Sequence, residues 1–148
     1  MSTKIETATY ASSIGDAQAT SSLTLKSTTE LFGRVLIVSL FLLSGVGKIT
    51  AYTATAGYMA SVGVPGAMLP LVIATEVLGS LAIILGWKTR IVAFLMAGFT
   101  LLTGILFHNH FADQMQMIMF MKNVSIAGAF LLLTVHGAGP ISLDNKSR

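Results

Sequence analysis

The sequence predicts an all-α integral membrane protein, a four-transmembrane-helix antiparallel bundle with both termini in the cytoplasm. Of its 148 residues, 53% are hydrophobic and only 10% are charged, whereas a soluble domain carries about 25% charged residues. Four apolar stretches have helical lengths suited to a hydrocarbon layer about 30 Å thick. The length allows one bundle and leaves no room for a separate soluble domain.

The four predicted spans are joined by connections of different kinds. Arg34 and Lys48 flank the charge-free part of the first span and can extend to the two membrane interfaces. A short basic turn at residues 88–90 joins the second and third spans and forces an antiparallel hairpin. Residues 52–62, in the first connection, are predicted to form a helix on the membrane surface. The spans occupy residues 29–47, 66–87, 91–107 and 120–136, within a membrane domain of residues 29–138.

The two ends of the chain differ in composition from this domain. Residues 1–28 are rich in Ser, Thr and Ala and carry few large apolar side chains. Such a segment cannot bury enough surface to fold alone, so a disordered N-terminal tail is expected. No signal-peptide pattern precedes the first span, which is therefore expected to act as an uncleaved anchor. Residues 139–148 form a short polar C-terminal tail.

The lysines and arginines predict the orientation of the bundle. With four spans, both termini and the 88–90 turn share one side, and the remaining connections share the other. Cytoplasmic segments of membrane proteins carry an excess of Lys and Arg. The sequence therefore predicts a multi-pass protein of the bacterial inner membrane. The first side holds Lys4, Lys26, Arg34, Lys88, Arg90, Lys146 and Arg148, and the second holds Lys48 and Lys122.

Glu76 lies near the middle of the otherwise apolar stretch 66–87. A carboxylate at that depth costs at least about 2.5 kcal/mol unless it is paired, protonated or wetted. It is about ten residues, or roughly 15 Å, into the second span from the outer side. Intramembrane charges of this kind usually serve a function, so the groups that face Glu76 become the central question.

Further polar residues from the other three spans gather toward the same outer half. Polar groups in hydrocarbon turn toward each other or toward water, which predicts a polar pocket open to the outer side with Glu76 at its floor. Glu76 and His108 are the candidate catalytic residues. The candidate ligand-binding residues are Lys48, His110, Lys122 and Asn123.

Each candidate also has a purely structural interpretation. Glu76 could bond hydroxyl groups of neighbouring helices, with Thr100 and Thr103 as plausible partners. Lys48 could be an interfacial anchor, and Lys122 could serve only to set the topology. The two histidines could lie on a loop surface. At the opposite side, Glu30 and Arg34 are four residues apart and are expected to form a structural ion pair.

Several classes of function are excluded or disfavoured. The chain has no cysteine, which removes disulfides, thiol relays and thiolate metal sites. His108 and His110 would point about 200° apart on a helix, and His136 lies at the opposite membrane face. We find no haem, flavin or metal motif. The basic residues are spread singly, so no nucleic-acid partner is expected.

Five segments carry a resemblance to a known family. Polar residues recur in them at fixed places within an apolar background: Arg34, Lys48, Glu76, Arg90, His108, Lys122 and Asn123. Over about residues 32–144 the sequence resembles the DoxX family of small bacterial membrane proteins. The segments are FGRVLIVSLFLLSGVGKI, GYMASVGVPGAMLPL, EVLGSLAIILGWKTRIVAFLMAGFTLLTGILFH, FMKN and GAGPISLD.

The resemblance implies a four-helix inner-membrane protein connected with redox chemistry. Family members include a membrane subunit of a thiosulfate:quinone oxidoreductase and components of redox-stress complexes. We therefore expect a quinone-interacting membrane subunit, with quinone as cofactor and a redox partner subunit. Separately, small residues distributed over all four spans let helices approach closely and favour a homodimer. The alternative is a non-catalytic module in the lipid bilayer that binds a lipid or small anion or anchors a partner enzyme. A transporter ranks last, because the halves show no inverted repeat.

Overall fold

The computed structural model describes residues 2–146, and the side chains of residues 20–146. This part of the chain is almost entirely helical and contains no strand. Four helices have a membrane-spanning stretch, which confirms the predicted all-α membrane fold. The helices are α1 (Ser2–Thr50), α2 (Tyr52–Ser61), α3 (Leu69–Leu85), α4 (Thr89–Phe107), α5 (Gln114–His136) and α6 (Leu143–Lys146), with a single 3-10 turn at Gly66–Met68 before α3.

Helix α1 is much longer than the predicted first span. It begins at Ser2, where the composition predicted a disordered tail, and its membrane-spanning stretch runs over Thr20–Thr50. The side chains of residues 20–26 are exposed, and burial begins in the turn around Glu30. A helix without tertiary contacts is marginal in water, so the disorder of residues 1–28 in solution stays a prediction.

Local sequence signals explain where the other helices begin and end. Pro70 lies in the first turn of α3, where a missing N–H matters least. Gly86 ends α3 in the left-handed conformation (φ 69°) that glycine adopts without strain. Asp113 caps α5 by accepting hydrogen bonds from the backbone N–H groups of Met115 and Gln116. Helix α5 therefore starts six residues before its predicted span at 120.

Small residues allow the helices to approach closely. A Cβ added at Gly45 on α1 would lie 2.8 Å from a Val77 methyl group of α3, and one at Gly79 would lie 2.7 Å from the sulfur of Met96. Such close packing holds helices together in lipid, where hydrophobicity between helices offers little. The most extensive contacts join α1 to α3 and α4 to α5. The buried core between them contains Val38, Phe41, Ile83, Ala93, Met96, Ala97, Ala127 and Phe130.

The two ends of the bundle have different polar contents. We call the basic end the one that carries the α3–α4 turn (residues 86–88) and the C-terminal segment (residues 137–146). The pocket end, opposite, carries α2 and the α4–α5 loop (residues 108–113). Spans running alternately between these ends place residues from α1, α3, α4 and α5 together at each end.

Arg34 fastens the basic end. The residue is 2% exposed, and its guanidinium donates hydrogen bonds to the carbonyls of Ile83 (3.1 Å), Ile84 (3.0 Å) and Ile141. The predicted ion pair with Glu30 is not among the salt bridges of the described side chains. The end of α3 offers carbonyl oxygens that still have capacity to accept hydrogen bonds, and Arg34 donates to two of them. Arg34 thus joins α1 to α3 and to the C-terminal segment.

Candidate functional site

An ion pair in the pocket half of the bundle joins α1 to α3. Lys48 Nζ lies 2.9 Å from both carboxylate oxygens of Glu76. The Glu76 side chain is only 7% exposed and that of Lys48 is 23% exposed. A buried carboxylate requires such a partner, since a charge left alone in a low-dielectric interior is far more costly. The geometry assigns Glu76 a cation as its neighbour rather than the threonine hydroxyls considered from sequence.

Ser44 completes this arrangement. It lies one helical turn before Lys48 on α1, and its hydroxyl receives a hydrogen bond from Lys48 Nζ at 2.5 Å. The same hydroxyl donates a longer bond, 3.4 Å, to Glu76 Oε1. Thr100 and Thr103 instead bond backbone carbonyls of their own helix, those of Met96 and Thr100. The i, i+4 spacing of Ser44 and Lys48 was a readable signal that sequence reasoning missed.

The ion pair forms part of the wall of a cavity of about 270 Å³. Helices α1, α3, α4 and α5 contribute to it, and α2 covers one side with Thr55, Tyr58 and Met59. Its apolar wall includes Phe41, Phe99 and Phe107. The Tyr58 and Phe107 rings stack with centroids 5.8 Å apart. The cavity is therefore a mostly apolar space with a few convergent polar groups, which is the general character of small-molecule sites.

The structure brings five of the six predicted site residues into this cavity. Glu76, Lys48, His108, Lys122 and Asn123 all line it. His110 is exposed and lies outside the lining. The candidate catalytic and binding roles of these residues stay predictions.

His108 is oriented by a residue that the sequence did not single out. Its Nδ1 lies 3.0 Å from the side-chain oxygen of Gln116 in the first turn of α5. Asp113 fixes that turn by capping it. The contact leaves Nε2 of His108 as the ring nitrogen for other partners. Gln116 was hard to recognise because it stands within a run of methionines, with no spacing rule that relates it to His108.

Lys122 and Asn123 differ in their surroundings although they are neighbours on α5. Lys122 is exposed, and its ammonium lies 3.1 Å from the sulfur of Met119. Asn123 is half-buried and packs against Gly104 of α4, where a Cβ would lie 3.1 Å from both its Cβ and its amide nitrogen. Glycine at position 104 thus allows the Asn123 amide to lie between α4 and α5. The two side chains offer an exposed cation and a half-buried amide to the same cavity.

These features define a class of protein: a small four-span membrane bundle with a buried Lys–Glu ion pair in the wall of a largely apolar cavity. The DoxX family model matches residues 29–109, more than half of the chain. The protein therefore belongs to the DoxX family.

Two relatives from Escherichia coli (strain K12) are similar to this chain over most of its length. The inner membrane protein YqjF is 53% identical over 114 residues, covering 77% of this chain and 88% of the relative. The inner membrane protein YphA is 42% identical over 123 residues, covering 78% and 88%. No solved structure matches the chain. Together with the four spans, the relatives place this protein in the bacterial inner membrane, as the sequence predicted.

Proposed function

We propose that the cavity binds the head group of a membrane quinone and that the protein is a quinone-interacting subunit of an inner-membrane redox system. The closed Lys48–Glu76 pair in the cavity wall is the observation that carries this proposal. The pair offers a proton donor and a proton acceptor side by side while its two charges cancel. A neutral ligand that exchanges protons suits such a pair better than a charged ligand.

The cavity has the size and lining that a quinone ring needs. About 270 Å³ is slightly below the range of about 300–1,000 Å³ typical of drug-sized ligands, so it suits a head group whose tail extends between helices. Phe99, Phe107 and Tyr58 provide aromatic surface against which a flat ring can stack. Asn123 and Lys122 provide hydrogen-bond donors for ring oxygens. The residues present therefore fit this ligand.

The side chains divide the proton chemistry among themselves. A bound quinone supplies a two-electron, two-proton couple. Glu76 is the candidate to take a proton from the ring oxygen nearest the ion pair, and Lys48 stabilises its carboxylate at 2.9 Å. His108, held by Gln116, is the candidate to pass the proton toward the pocket end. A general base must lie within hydrogen-bond reach of its proton, and the shared cavity supports that requirement for both residues.

The electrons would come from a redox partner subunit. The chain has no cysteine, so thiol chemistry within this subunit is excluded. In the proposed orientation, with the pocket end outside, the partner would meet the cavity near α2 and the α4–α5 loop. The partner and a homodimer both stay predictions.

A non-catalytic module that binds a small anion is the second candidate. Lys122 supports it, because its exposed ammonium at the cavity mouth lies beside a sulfur atom rather than a carboxylate. Against it stands Lys48, whose charge is already taken by Glu76. An anion would have to bind near the mouth, without the deeper lysine.

Quinone content tests the proposal. The protein would be extracted with its native lipids, and the quinone per polypeptide would be measured by solvent extraction and absorbance. We expect quinone to co-purify with the unmodified protein and with His110→Gln. We expect the quinone content to fall at least about fivefold in His108→Gln and in Glu76→Gln, because each loses a group in contact with the ligand.

Two controls make the result decisive. His110→Gln is the matched control for His108→Gln, since His110 is exposed and outside the cavity lining. Circular dichroism and gel filtration would show that the variants are folded. Folded, quinone-free protein after extraction from a quinone-containing membrane would overturn the proposal. Binding of a small anion that is lost in Lys122→Ala would then support the second candidate.

A further inference from the structure

The basic end contains a second cavity, separate from the candidate site. It has a volume of about 590 Å³. Backbone of the C-terminal segment, residues 137–140, forms one wall, and three basic side chains, Lys88, Arg90 and His136, line the remainder with Asp144 and Asn145. Its position beside the α3–α4 turn places it at the membrane interface, where lipid head groups lie.

The cations of this cavity are available to a ligand. The side chains of Lys88 and Arg90 are exposed and form no hydrogen bond or ion pair with any described residue. Asp144 lies in the same lining, where its two carboxylate oxygens accept the backbone N–H groups of Lys88 (2.7 Å) and Thr89 (2.8 Å). The side chains of Lys88 and Arg90 together still give this cavity an excess of positive charge. Arginine and lysine in this setting favour phosphate oxygens.

A groove between α1 and α5 adjoins this cavity at His136 and Gly137 and has a volume of about 290 Å³. Two buried polar atoms in it have no hydrogen-bond partner among the described residues: Glu30 Oε2, an acceptor, and Arg34 Nε, a donor. Arg34 as a whole residue is only 2% exposed. Glu30 nevertheless belongs to the lining of the groove, so its carboxylate adds a negative charge next to the basic cavity.

Two glycines bring the acidic and basic groups close together. A Cβ at Gly137 would lie 3.4 Å from Arg90 Nε, and one at Gly139 would overlap the Glu30 carboxylate. Both glycines have positive φ, 80° and 77°. The Arg90 guanidinium, in the cavity, therefore lies against Gly137, and the Glu30 carboxylate, in the groove, lies against Gly139, two residues further along the chain.

We propose that the cavity and groove together bind a zwitterionic phospholipid head group, a phosphodiester that carries a primary ammonium. Arg90, Lys88 and His136 contact the phosphate. The ammonium lies against the Glu30 carboxylate, and the acyl chains lie along Ile37, Leu132 and Leu133 of the groove. Basic pockets between transmembrane helices are known to take head groups. The carboxylate adds selectivity for the ammonium, because it repels a purely anionic head group.

A head-group series on the unmodified protein provides the first test. Phosphatidylethanolamine, its N,N-dimethyl derivative, phosphatidylcholine and phosphatidylglycerol would be titrated into delipidated protein in detergent, with bound lipid counted by native mass spectrometry. We expect phosphatidylethanolamine to bind about tenfold more tightly than phosphatidylcholine, whose ammonium has no N–H group. The dimethyl lipid should bind with intermediate affinity. Equal affinity across the series would overturn the proposal.

Charge-neutral variants separate the two halves of the site. Arg90→Gln should weaken phosphatidylethanolamine and phosphatidylglycerol alike by about tenfold. Glu30→Gln should weaken only phosphatidylethanolamine. Lys146→Gln, an exposed cation of the same end outside the cavity lining, is the control for Arg90. Asp113→Asn, at the pocket end, is the control for Glu30, because Asn caps a helix as well as Asp does.

Competition with inorganic phosphate distinguishes a head-group site from a phosphate site. The proposal predicts that an about tenfold excess of inorganic phosphate over lipid displaces little phosphatidylethanolamine, since phosphate lacks the ammonium contact. Displacement by phosphate together with an unchanged Glu30→Gln affinity would overturn the proposal and leave a simple phosphate site. Glu30→Gln without effect on any lipid would also overturn the proposal, because the ammonium would then have no contact with the carboxylate.

Discussion

At the residue scale, the Lys48–Glu76 pair combines a structural and a functional demand. Each charge is tolerable in the membrane only because the other is 2.9 Å away. Ser44, one helical turn before Lys48 on α1, accepts a hydrogen bond from the Lys48 ammonium. This contact orients the lysine without a bound ligand. The pair therefore both joins α1 to α3 and supplies the polar groups of the cavity.

Replacing Glu76 alone should destabilise the protein more than replacing both Lys48 and Glu76 by apolar residues. We expect Glu76→Ala to lower the free energy of unfolding by at least about 2 kcal/mol, because it leaves the Lys48 ammonium, on a side chain that is 23% exposed, without its carboxylate partner. The double variant Lys48→Met with Glu76→Leu should recover most of that loss. Unfolding in mixed micelles, followed by circular dichroism, measures both. Additive effects in the double-mutant cycle would show that the pair contributes no coupling energy.

Arg34 is the second residue on which stability depends. Arg34→Lys should lower the free energy of unfolding by at least about 2 kcal/mol, since one ammonium cannot reach the carbonyls of both α3 and the C-terminal segment. Arg90→Lys is the matched control, because Arg90 is exposed and has no protein partner among the described residues; its effect should stay within about 0.5 kcal/mol. The same micelle unfolding assay applies. Equal effects at positions 34 and 90 would contradict the assigned role of Arg34.

At the element scale, helix approach decides where the site forms. Gly45 lies against Val77 and the Glu76 Cβ, so the spacing of α1 and α3 sets the length of the ion pair. On the other side of the cavity, Gly104 makes room for Asn123 between α4 and α5. Helix α2 then covers the space between these two pairs with Tyr58 and Met59. The cavity is thus a product of two close helix pairs and a covering helix.

A pair of glycines two residues apart tests this packing. Gly45→Ala should lower the free energy of unfolding by about 1–3 kcal/mol, because its methyl group must displace Val77. Gly47→Ala should be neutral or slightly stabilising, since a Cβ there meets nothing within 4 Å and Ala favours helix. Thermal unfolding of the two variants in one detergent gives the comparison. An equal loss of stability in both would show that helix propensity, rather than packing, governs this part of α1.

At the scale of the whole molecule, the two ends serve different purposes. The pocket end gathers the groups that the proposed redox function needs, and the basic end gathers cations at an interface. In an antiparallel bundle with an even number of spans both termini lie at the same end, so the C-terminal segment joins the α3–α4 turn at the basic end. The basic end is also fastened by Asp144, which caps α4 from the C-terminal segment, and by Arg34.

The orientation of the bundle is a prediction at this scale. Seven Lys and Arg residues against two place the basic end in the cytoplasm by the positive-inside rule. A fluorescent protein that matures only in the cytoplasm should therefore fluoresce when fused after residue 148. The same reporter inserted at residue 112, in the α4–α5 loop, should stay dark, and a reporter enzyme active only outside should give the opposite pattern. A fluorescent loop insertion with a dark C-terminal fusion would reverse the orientation.

The chain by itself determined the membrane class, the four spans and the depth of Glu76. Composition and helix length suffice for these because the bilayer imposes one thickness and one polarity on every span. The pattern of polar residues also indicated which groups share the pocket end. Family membership followed from the same residues.

Only the tertiary structure decided which polar groups touch. Glu76 pairs with Lys48 and Ser44 rather than with Thr100 or Thr103, and Arg34 bonds carbonyls rather than Glu30. His108 is held by Gln116, and His110 stays outside. Helix periodicity tells only which face of a helix a residue occupies. A hydrogen bond, in contrast, requires the donor–acceptor distance to be correct to within a few tenths of an ångström, and that distance depends on how the helices are rotated and how far apart they lie. Those quantities are set by packing at Gly45, Gly79 and Gly104, which no local pattern encodes.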